Sequence, residues 1–330
     1  MSFWDKKRVL VTGGAGFIGS HLVELLVEQQ ADVHVVDNLE RGRLENLQSC
    51  CDDITFIQGD LRDPAICREV TGKQDVVMNL AAKVTGIEYN RYHHGDMFTS
   101  NVLISTNVLE AARLNGVKRY LAVSTACIYP HDATVPTPES EGARGLPEPT
   151  NEGYGWAKRM AEQQAIYYAQ EYDMEIAIAR PFNAYGPRDY FDRATSHVIP
   201  ALIRRVLEGD DPVVVWGSGN QTRAFVHALD AARGMMLLTE KYPTADPVNI
   251  GHDSESSMRE LLSLILRLTG KRPNVVFDAS RPDGYPRRAA DVTKLRTVTG
   301  GFVPDTPLEE GIAETIQWYR AHAKTVARDA

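Results

Sequence analysis

The chain has 330 residues, 43% of them hydrophobic and 24% charged, and a formal net charge of −8. This composition, without low-complexity tracts, predicts a soluble globular protein of one large or two modest domains. Its negative charge argues against a nucleic-acid-binding surface, so small anionic ligands would need locally placed Arg and Lys. No apolar run reaches the roughly 18 residues of a membrane span, and the chain starts directly with a strand pattern. We therefore expect a cytoplasmic protein with no signal peptide and no membrane partner.

Cysteines and histidines do not form a disulfide framework or a metal site in this pattern. The cysteines form no C-x-x-C pair, and a chain of this length folds without disulfides, so we expect free thiols. They are Cys50, Cys51, Cys67 and Cys127. His93 and His94 lack a carboxylate and a third ligand at matching spacing, so no metal is predicted.

The first elements in the chain predict a strand, a helix and a second strand. "RVLVTGG" is a short apolar strand, and "ADVHVVDN" is the next one. Between them, "FIGSHLVELLVEQQ" has apolar residues at helical spacing, so they share one face. They are Ile18, Leu22, Leu25 and Leu26. The chain therefore begins with a βαβ unit.

Further strands and helices alternate along the chain. "ITFIQGDL", "DVVMNLAA", "RYLAVSTA" and "EIAIARPF" are apolar strands, and "TNVLEAARLNGV" and "AKRMAEQQAIYYAQEY" have helical patterns. The alternation predicts an α/β fold with a doubly wound parallel sheet, the Rossmann architecture. After "RPFNAYGPRDYF" the pattern is irregular, which predicts a smaller, mixed α/β substrate domain. We assign residues 1–180 plus 224–250 to the first domain and 181–223 plus 251–330 to the second.

A glycine-rich segment, "TGGAGFIG", lies between the first strand and the first helix. Such glycines allow a tight turn and close approach to a pyrophosphate, and the helix N-terminus favours phosphate. The dinucleotide-binding residues predicted here are Gly13, Gly16, Phe17, Ile18 and Gly19. Asp37 ends the second strand, where a carboxylate binds the adenosine ribose and repels a 2′-phosphate. This favours NAD over NADP, although Arg41 and Arg43 nearby leave NADP open.

Other strand ends contribute further candidates for cofactor contacts. They follow the second, third and fourth strands, where adenine and pyrophosphate would lie. These candidates are Asn38, Asp60, Leu61, Ala81, Ala82 and Lys83. Taken singly, each is equally typical of an ordinary loop.

The segment "YGWAK" places Tyr154 and Lys158 four residues apart, on one face of a helix. A nearby ammonium and an oxidised nicotinamide favour the phenolate, which makes the tyrosine a usable base. Alone this pattern is common on solvated helices. Thr125 strengthens it, because its hydroxyl follows a strand at the ligand-binding edge of the sheet and could share a substrate oxygen with Tyr154.

These segments together resemble the extended short-chain dehydrogenase/reductases, in particular the nucleotide-sugar epimerases and dehydratases. The resemblance covers nearly the whole chain and includes "NLAA", "STACIYP", "RPFNAYGP" and "VVVWGSGNQTRAFVH". It implies that Thr125, Tyr154 and Lys158 form the hydride-transfer triad. It also implies that Pro181 and Asn183 lie beside the nicotinamide, and that the protein forms a homodimer.

Two further residues resemble the proton-exchange pair of particular subfamilies. "CIYP" is similar to GDP-L-fucose synthases and GDP-mannose 3,5-epimerases, and "SHVIPALIRR" to the synthases. The resemblance implies that Cys127 and His197 move carbon-bound protons on opposite faces of a sugar, although each residue alone is equally typical of core filler or a helix start. If the chain stays extended beyond the strand, Cys127 and Thr125 point to the same side.

Substrate binding is expected mainly in the C-terminal region. By resemblance, four residues hold the nucleotide or its diphosphate, and Asn183 and Thr125 contact the sugar. Arginines suit phosphate oxygens, and Trp offers a face for stacking a base. The four are Arg205, Trp216, Arg223 and Arg288. Guanine is implied only by the resemblance, with GDP-mannose as the simplest substrate.

The combined expectation is a redox-neutral, NAD-dependent epimerase on a GDP-hexose, with oxidation at C4, epimerisation at C3 and/or C5, and reduction at C4. Asp37 favours it, since the fucose synthases spend NADPH and lack this acid. The alternative is a 4-keto sugar-nucleotide reductase or epimerase-reductase. A 4,6-dehydratase would need an acidic pair in place of Ala126 and Cys127. A non-catalytic dinucleotide-binding protein is disfavoured by the intact triad.

Overall fold

A seven-stranded parallel sheet forms the centre of the computed structural model, which describes residues 2–193, 195–280 and 285–326. From one edge to the other, the strands are β11 (Val248–Ile250), β6 (Glu175–Pro181), β5 (Arg119–Val123), β4 (Val76–Asn79), β1 (Arg8–Thr12), β2 (Asp32–Asp37) and β3 (Ile54–Gln58). The strand order reverses between β1 and β4, which in open α/β sheets is where ligands bind. The predicted Rossmann-type α/β fold is confirmed.

Both faces of this sheet are covered by helices. Successive side chains of a strand point to opposite faces, and accordingly Val9 and Val11 belong to one apolar cluster and Leu10 to the other. The first cluster includes residues of α1 (Phe17–Glu28), α7 (Ala228–Lys241) and α9 (Thr293–Val298). The second includes residues of α2 (Pro64–Val70), α4 (His94–Leu114) and α5 (Glu152–Tyr172). The short α3 (Ile87–Tyr92) precedes α4.

A third apolar cluster underlies the smaller region of mixed structure. Its helices are α6 (Val198–Glu208), α8 (Met258–Thr269) and α10 (Leu308–Val326). Its short strands are β7 (Ala184–Tyr185), β8 (Val213–Trp216), β9 (Thr222–Ala224), β10 (Val226–His227), β12 (Glu255–Ser257), β13 (Val275–Asp278) and β14 (Arg287–Arg288). Between these segments the chain returns to the large sheet, where α7 packs on α1 and β11 pairs with β6. The domain boundaries given above stay a prediction.

Among the described residues, no helix combines the length and the apolar character needed to cross a membrane.

Candidate active site

The glycine-rich loop lies at the carboxyl end of β1, beside the reversal of strand order. Gly13 has φ +69°, and a Cβ there would lie 3.0 Å from the backbone of Ala81. A Cβ on Gly19 would lie 2.2 Å from the carbonyl oxygen of Gly13. Helix α1 begins at Phe17 with no side-chain cap, so its first N–H groups face the loop without a side-chain acceptor. This crowded turn and open helix end fit the pyrophosphate of a dinucleotide.

Asp37 ends β2 next to this loop. Its carboxylate accepts the backbone N–H of Ala15 at 3.1 Å and that of Leu39 at 2.9 Å. Burial raises the pKa of this carboxyl group, and the two backbone hydrogen bonds oppose that shift. A carboxylate has about four lone-pair positions, so these bonds leave room for ribose hydroxyls.

The side chain of Arg41 spans the loop region. Its Nη1 donates to the carbonyl oxygen of Val84, and its Nη2 donates to Thr195 Oγ1 at 3.3 Å. The guanidinium also lies 3.6 Å from the centre of the Tyr190 ring. Because β1 lies between β2 and β4, a side chain that reaches from the loop after β2 to the loop after β4 crosses the carboxyl end of β1. The Arg41 guanidinium thus binds residues other than Asp37, namely Val84, Thr195 and Tyr190.

The remaining predicted cofactor residues follow the ends of β2, β3, β4 and β6. They are Asn38, Asp60, Leu61, Ala81, Ala82, Lys83, Pro181 and Asn183. Some of their side chains bind neighbours in the chain: Lys83 Nζ lies 2.7 Å from Asp96, and Asp60 pairs with Arg62. The Asn183 amide donates to the carbonyl oxygen of Ala224 at 2.9 Å. Their contacts with a cofactor stay predictions.

Tyr154 and Lys158 lie in the first two turns of α5. Lys158 Nζ donates to the carbonyl oxygen of Val123 at 2.8 Å and lies 5.7 Å from the Tyr154 ring centre. Gly155 allows this helix to approach the segment after β5 closely, because a Cβ there would lie 2.8 Å from the carbonyl oxygen of Cys127. The helix therefore brings the phenol and the ammonium to the end of β5.

Burial dominates the electrostatics of these two groups. It lowers the pKa of Lys158 to about 8, against the attraction of Glu162, so the ammonium stays charged at neutral pH. Burial also raises the pKa of Tyr154, as does the neighbouring Cys127, whereas a hydrogen bond with Thr125 lowers it. Thr125, Tyr154 and Cys127 thus lie close enough together to influence one another's charge state.

The chain does not stay extended after β5, so the condition under which Thr125 and Cys127 would point to the same side is not met. Ala126–Ile128 forms a 3-10 helix, and Thr125 Oγ1 caps it by accepting the N–H of Cys127 at 3.2 Å. The cap stabilises the turn because it satisfies an N–H group that would otherwise lack a partner. Cys127 is half-buried, and its Sγ lies 3.8 Å from Nη2 of Arg288.

His197 immediately precedes α6, and its ring is held by a buried carboxylate. Its Nδ1 lies 3.2 Å from each carboxylate oxygen of Asp189. The Asp189 side chain is 0% exposed, whereas that of His197 is 56% exposed. The charge of Asp189 raises the pKa of His197, against burial and the charge of Arg41. In the part of the chain described, no hydrogen bond or ion pair joins His197 to Cys127.

Two of the four predicted nucleotide-binding residues lie side by side. Arg223 and Arg288 are register partners on β9 and β14. Burial and the charge of Arg288 lower the pKa of Arg223 to about 10. Across the described residues, neither guanidinium takes part in an ion pair with a carboxylate, so the two form a site suited to an anion.

The other two predicted nucleotide-binding residues lie apart from this pair. Arg205 pairs with Asp210 at 3.0 Å and donates to the carbonyl oxygen of Val214, so its guanidinium is already engaged. Trp216 ends β8 with 60% of its surface exposed. The roles of Arg205 and Trp216 stay predictions.

Residues 9–251 match the family model described as the NAD dependent epimerase/dehydratase family. The chain belongs to this family. The GDP-L-fucose synthase of Escherichia coli K12 is 36% identical over 328 residues, which cover 96% of this chain and 97% of the relative.

Solved structures of family enzymes have the same fold. UDP-glucose 4-epimerase from Thermotoga maritima, with UDP-glucose, superposes with a TM-score of 0.86 at 30% identity and covers 96% of this chain and 99% of that one. The dTDP-glucose 4,6-dehydratase DesIV from Streptomyces venezuelae, with NAD and TYD bound, has a TM-score of 0.83 at 28% identity and covers 96% and 98%.

Three features of this family member were not foreseen from its sequence. Asp189 lies eight residues before His197, a spacing with no regular periodicity to signal contact. The sequence around Gly155 contains no turn or phosphate-binding motif. This glycine is needed because α5 lies close to the backbone of Cys127. The crossing of Arg41 depends on contacts with loops more than 40 residues away along the chain.

Proposed function

We propose that the protein is a nucleotide-sugar epimerase that keeps its NAD through a closed redox cycle. The observation that carries this proposal is the position of Cys127: the Thr125 hydroxyl accepts its backbone N–H at 3.2 Å, and the thiol lies near enough to Tyr154 to raise the pKa of that phenol. A hydride-transfer triad alone is enough for a simple dehydrogenase. A thiol beside it adds a group that can exchange a proton on a neighbouring carbon.

The order of the chemistry follows from the acidity of the sugar. A proton on a sugar carbon is removed only when the adjacent carbon is a ketone, whose oxygen holds the enolate charge. Bound NAD supplies the two-electron oxidation and reduction that no side chain provides. Tyr154 takes the proton of the C4 hydroxyl, Thr125 hydrogen-bonds the same oxygen, and the Lys158 ammonium favours the phenolate.

Inversion at C3 or C5 requires proton removal on one face and proton return on the other. We assign these steps to Cys127 and His197, whose unperturbed pKa values of roughly 8.5 and 6.5 let both protonation states occur near neutral pH.

The substrate class follows from the anion site and the relatives. Arg223 and Arg288 would hold the diphosphate by charge-assisted hydrogen bonds, and the Trp216 side chain would stack on the base. The names of the fucose synthase relatives support GDP as the nucleotide.

NAD is favoured over NADP by the residues around the adenosine position. The Asp37 carboxylate would accept ribose hydroxyls and repel a 2′-phosphate. Arg41 and Arg43 were the candidates that left NADP open, and of these the Arg41 guanidinium is bound to Val84 and Thr195. Its path over the end of β1 would also cover a bound dinucleotide and slow its release.

A second candidate function is an epimerase-reductase acting on a 4-keto sugar nucleotide. The similarity to GDP-L-fucose synthases over nearly the whole chain favours it. Both candidates use the same triad and the same proton-exchange pair. They differ in whether the reduced cofactor is regenerated from the substrate or consumed.

The deciding experiment is incubation of the purified holoenzyme with GDP-mannose in D₂O, without added cofactor. The epimerase is expected to place deuterium at C3 or C5 of the recovered sugar nucleotide, as read by NMR and mass spectrometry. Exchange should fall by about 100-fold or more in Cys127→Ser and in His197→Asn, because general acid-base groups contribute about 10²- to 10⁴-fold.

Cys51→Ser is the matched control, because this cysteine is exposed and lies outside the site. Its exchange rate should equal that of the wild type. Consumption of NADH or NADPH with a 4-keto sugar nucleotide, without exchange on GDP-mannose, would replace the epimerase with the epimerase-reductase.

We also propose that the homodimer expected from the family resemblance forms through α4 and α5. These helices pack on each other and expose large apolar side chains. The exposed residues are Leu103, Leu114, Trp156, Met160, Tyr167 and Tyr172.

A further inference from the structure

The contact between His197 and Asp189 joins an exposed ring to a buried carboxylate. Both Asp189 oxygens lie 3.2 Å from Nδ1, and Oδ1 also accepts the N–H of Tyr190 at 2.7 Å. The carboxylate is therefore fixed by the backbone and covered from solvent. The His197 imidazole can donate its Nδ1–H to the Asp189 carboxylate, and Nε2 is then the other, free ring nitrogen.

The charges around this ring come from two parts of the chain. Asp189 precedes α6 in the same segment as His197, and its negative charge favours the imidazolium. Arg41 comes from the loop after β2, and its positive charge opposes protonation. Asp189 has the larger influence, so the two together leave His197 with a raised pKa.

We propose that Asp189 is the positioning residue of His197: it holds the proton on Nδ1 and turns Nε2 toward the sugar. The assignment rests on the proposed epimerase chemistry for its purpose. In the exchange step the carbon-bound proton moves to Nε2, and the C–H electron pair moves to the ketone oxygen as the enolate forms. Asp189 stabilises the imidazolium that results, without taking a proton itself.

The variant Asp189→Asn keeps the shape of the side chain and removes its charge. The pKa of His197 should fall, since the carboxylate that favours its charged form is gone. The amide also presents an NH₂ group to Nδ1, which shifts the proton to Nε2 and blocks that nitrogen as a base. Deuterium exchange should then fall by about 100-fold.

The experiment combines a titration with kinetics in the holoenzyme. NMR of ¹³C- and ¹⁵N-histidine-labelled protein follows the His197 ring, whose signal is identified by its absence in His197→Asn. The expected result is a lower titration midpoint in Asp189→Asn, with the acidic limb of the exchange-rate profile moved to lower pH. Oxidation of the substrate at C4 should continue, because the triad is unchanged.

Glu208→Gln is the matched control. This carboxylate ends α6 and pairs with Arg204 at 2.9 Å, so the His197 midpoint and the exchange rate should stay at wild-type values. If Asp189→Asn does not fold, the ¹⁵N shifts of the wild-type protein decide, since a neutral His197 with its proton on Nε2 overturns the assignment. An unchanged midpoint in Asp189→Asn overturns it too. If the wild type fails to exchange while the midpoint falls in the variant, the epimerase proposal fails and the pairing stands.

Discussion

The proposed preference for NAD over NADP rests mainly on one residue, Asp37. Its position at the end of β2 follows from the sequence, because a short apolar strand ends there. Two backbone N–H groups then hold the carboxylate, and a Cβ on Gly42 would lie 2.6 Å from its Oδ1. The side chain is therefore rigid, and a 2′-phosphate would meet a fixed negative charge.

Removing this charge should change cofactor preference. We expect Asp37→Asn to raise the affinity for NADP relative to NAD by about tenfold or more, since a unit like-charge contact costs about 1.4 kcal/mol or more. Titration of the cofactor-depleted protein with each dinucleotide measures the ratio. Asp53→Asn, in an exposed turn, should leave the ratio unchanged. An unchanged ratio in Asp37→Asn would mean that another group selects the cofactor.

Helix α5 carries Tyr154 and Lys158, and a buried ion pair attaches this helix to the sheet. Glu162 accepts two hydrogen bonds from Arg180 of β6, at 2.8 and 2.6 Å, and the side chains are 8% and 5% exposed. Arg180 also donates to the Tyr129 hydroxyl at 2.9 Å. The pair therefore joins α5, β6 and the segment that follows Cys127.

Breaking this pair should destabilise the fold. We expect Glu162→Gln to lower the free energy of unfolding by about 3 to 5 kcal/mol, because it leaves a buried guanidinium without its counter-charge. Urea unfolding followed by circular dichroism measures the change. Glu175→Gln is the control: its partner is Arg119, but Glu175 is 53% exposed, so its loss should cost about 1 kcal/mol or less. Equal effects in the two variants would contradict the argument.

At the scale of the whole molecule, the outward face of α4 and α5 exposes several large apolar side chains. Met160 is 48% exposed and Tyr167 is 58% exposed, and both lie on α5. A second copy of this face would bury these side chains in a helix bundle and remove them from water. Dimerisation would also brace α5 from the side opposite the sheet.

A charge on this face should separate the subunits. We expect Met160→Asp to convert the dimer to a monomer, because two buried aspartates would face an apolar interface. Sedimentation equilibrium measures the mass in solution. Leu146→Asp is the control, since this leucine is 63% exposed in a loop outside both helices. A wild-type protein that is monomeric at micromolar concentration would contradict the proposed homodimer.

The sequence by itself determined the parallel sheet, the glycine-rich loop, the acid at the end of β2 and the Tyr154–Lys158 pair. These follow from local rules: apolar periodicity, turn chemistry and the spacing of residues on one helix. The sequence did not indicate that the chain after β5 forms a 3-10 helix, capped by the Thr125 side chain, in place of the extended path considered for Thr125 and Cys127.

Only the tertiary structure decided which distant residues meet. The buried carboxylate beside His197, the arginine pair on β9 and β14, and the path of Arg41 across β1 arise from loops brought together by packing. No periodic pattern encodes such contacts, because their geometry depends on how separate elements dock. The fold could therefore be predicted from local sequence patterns, whereas the electrostatics of the site depend on the tertiary structure.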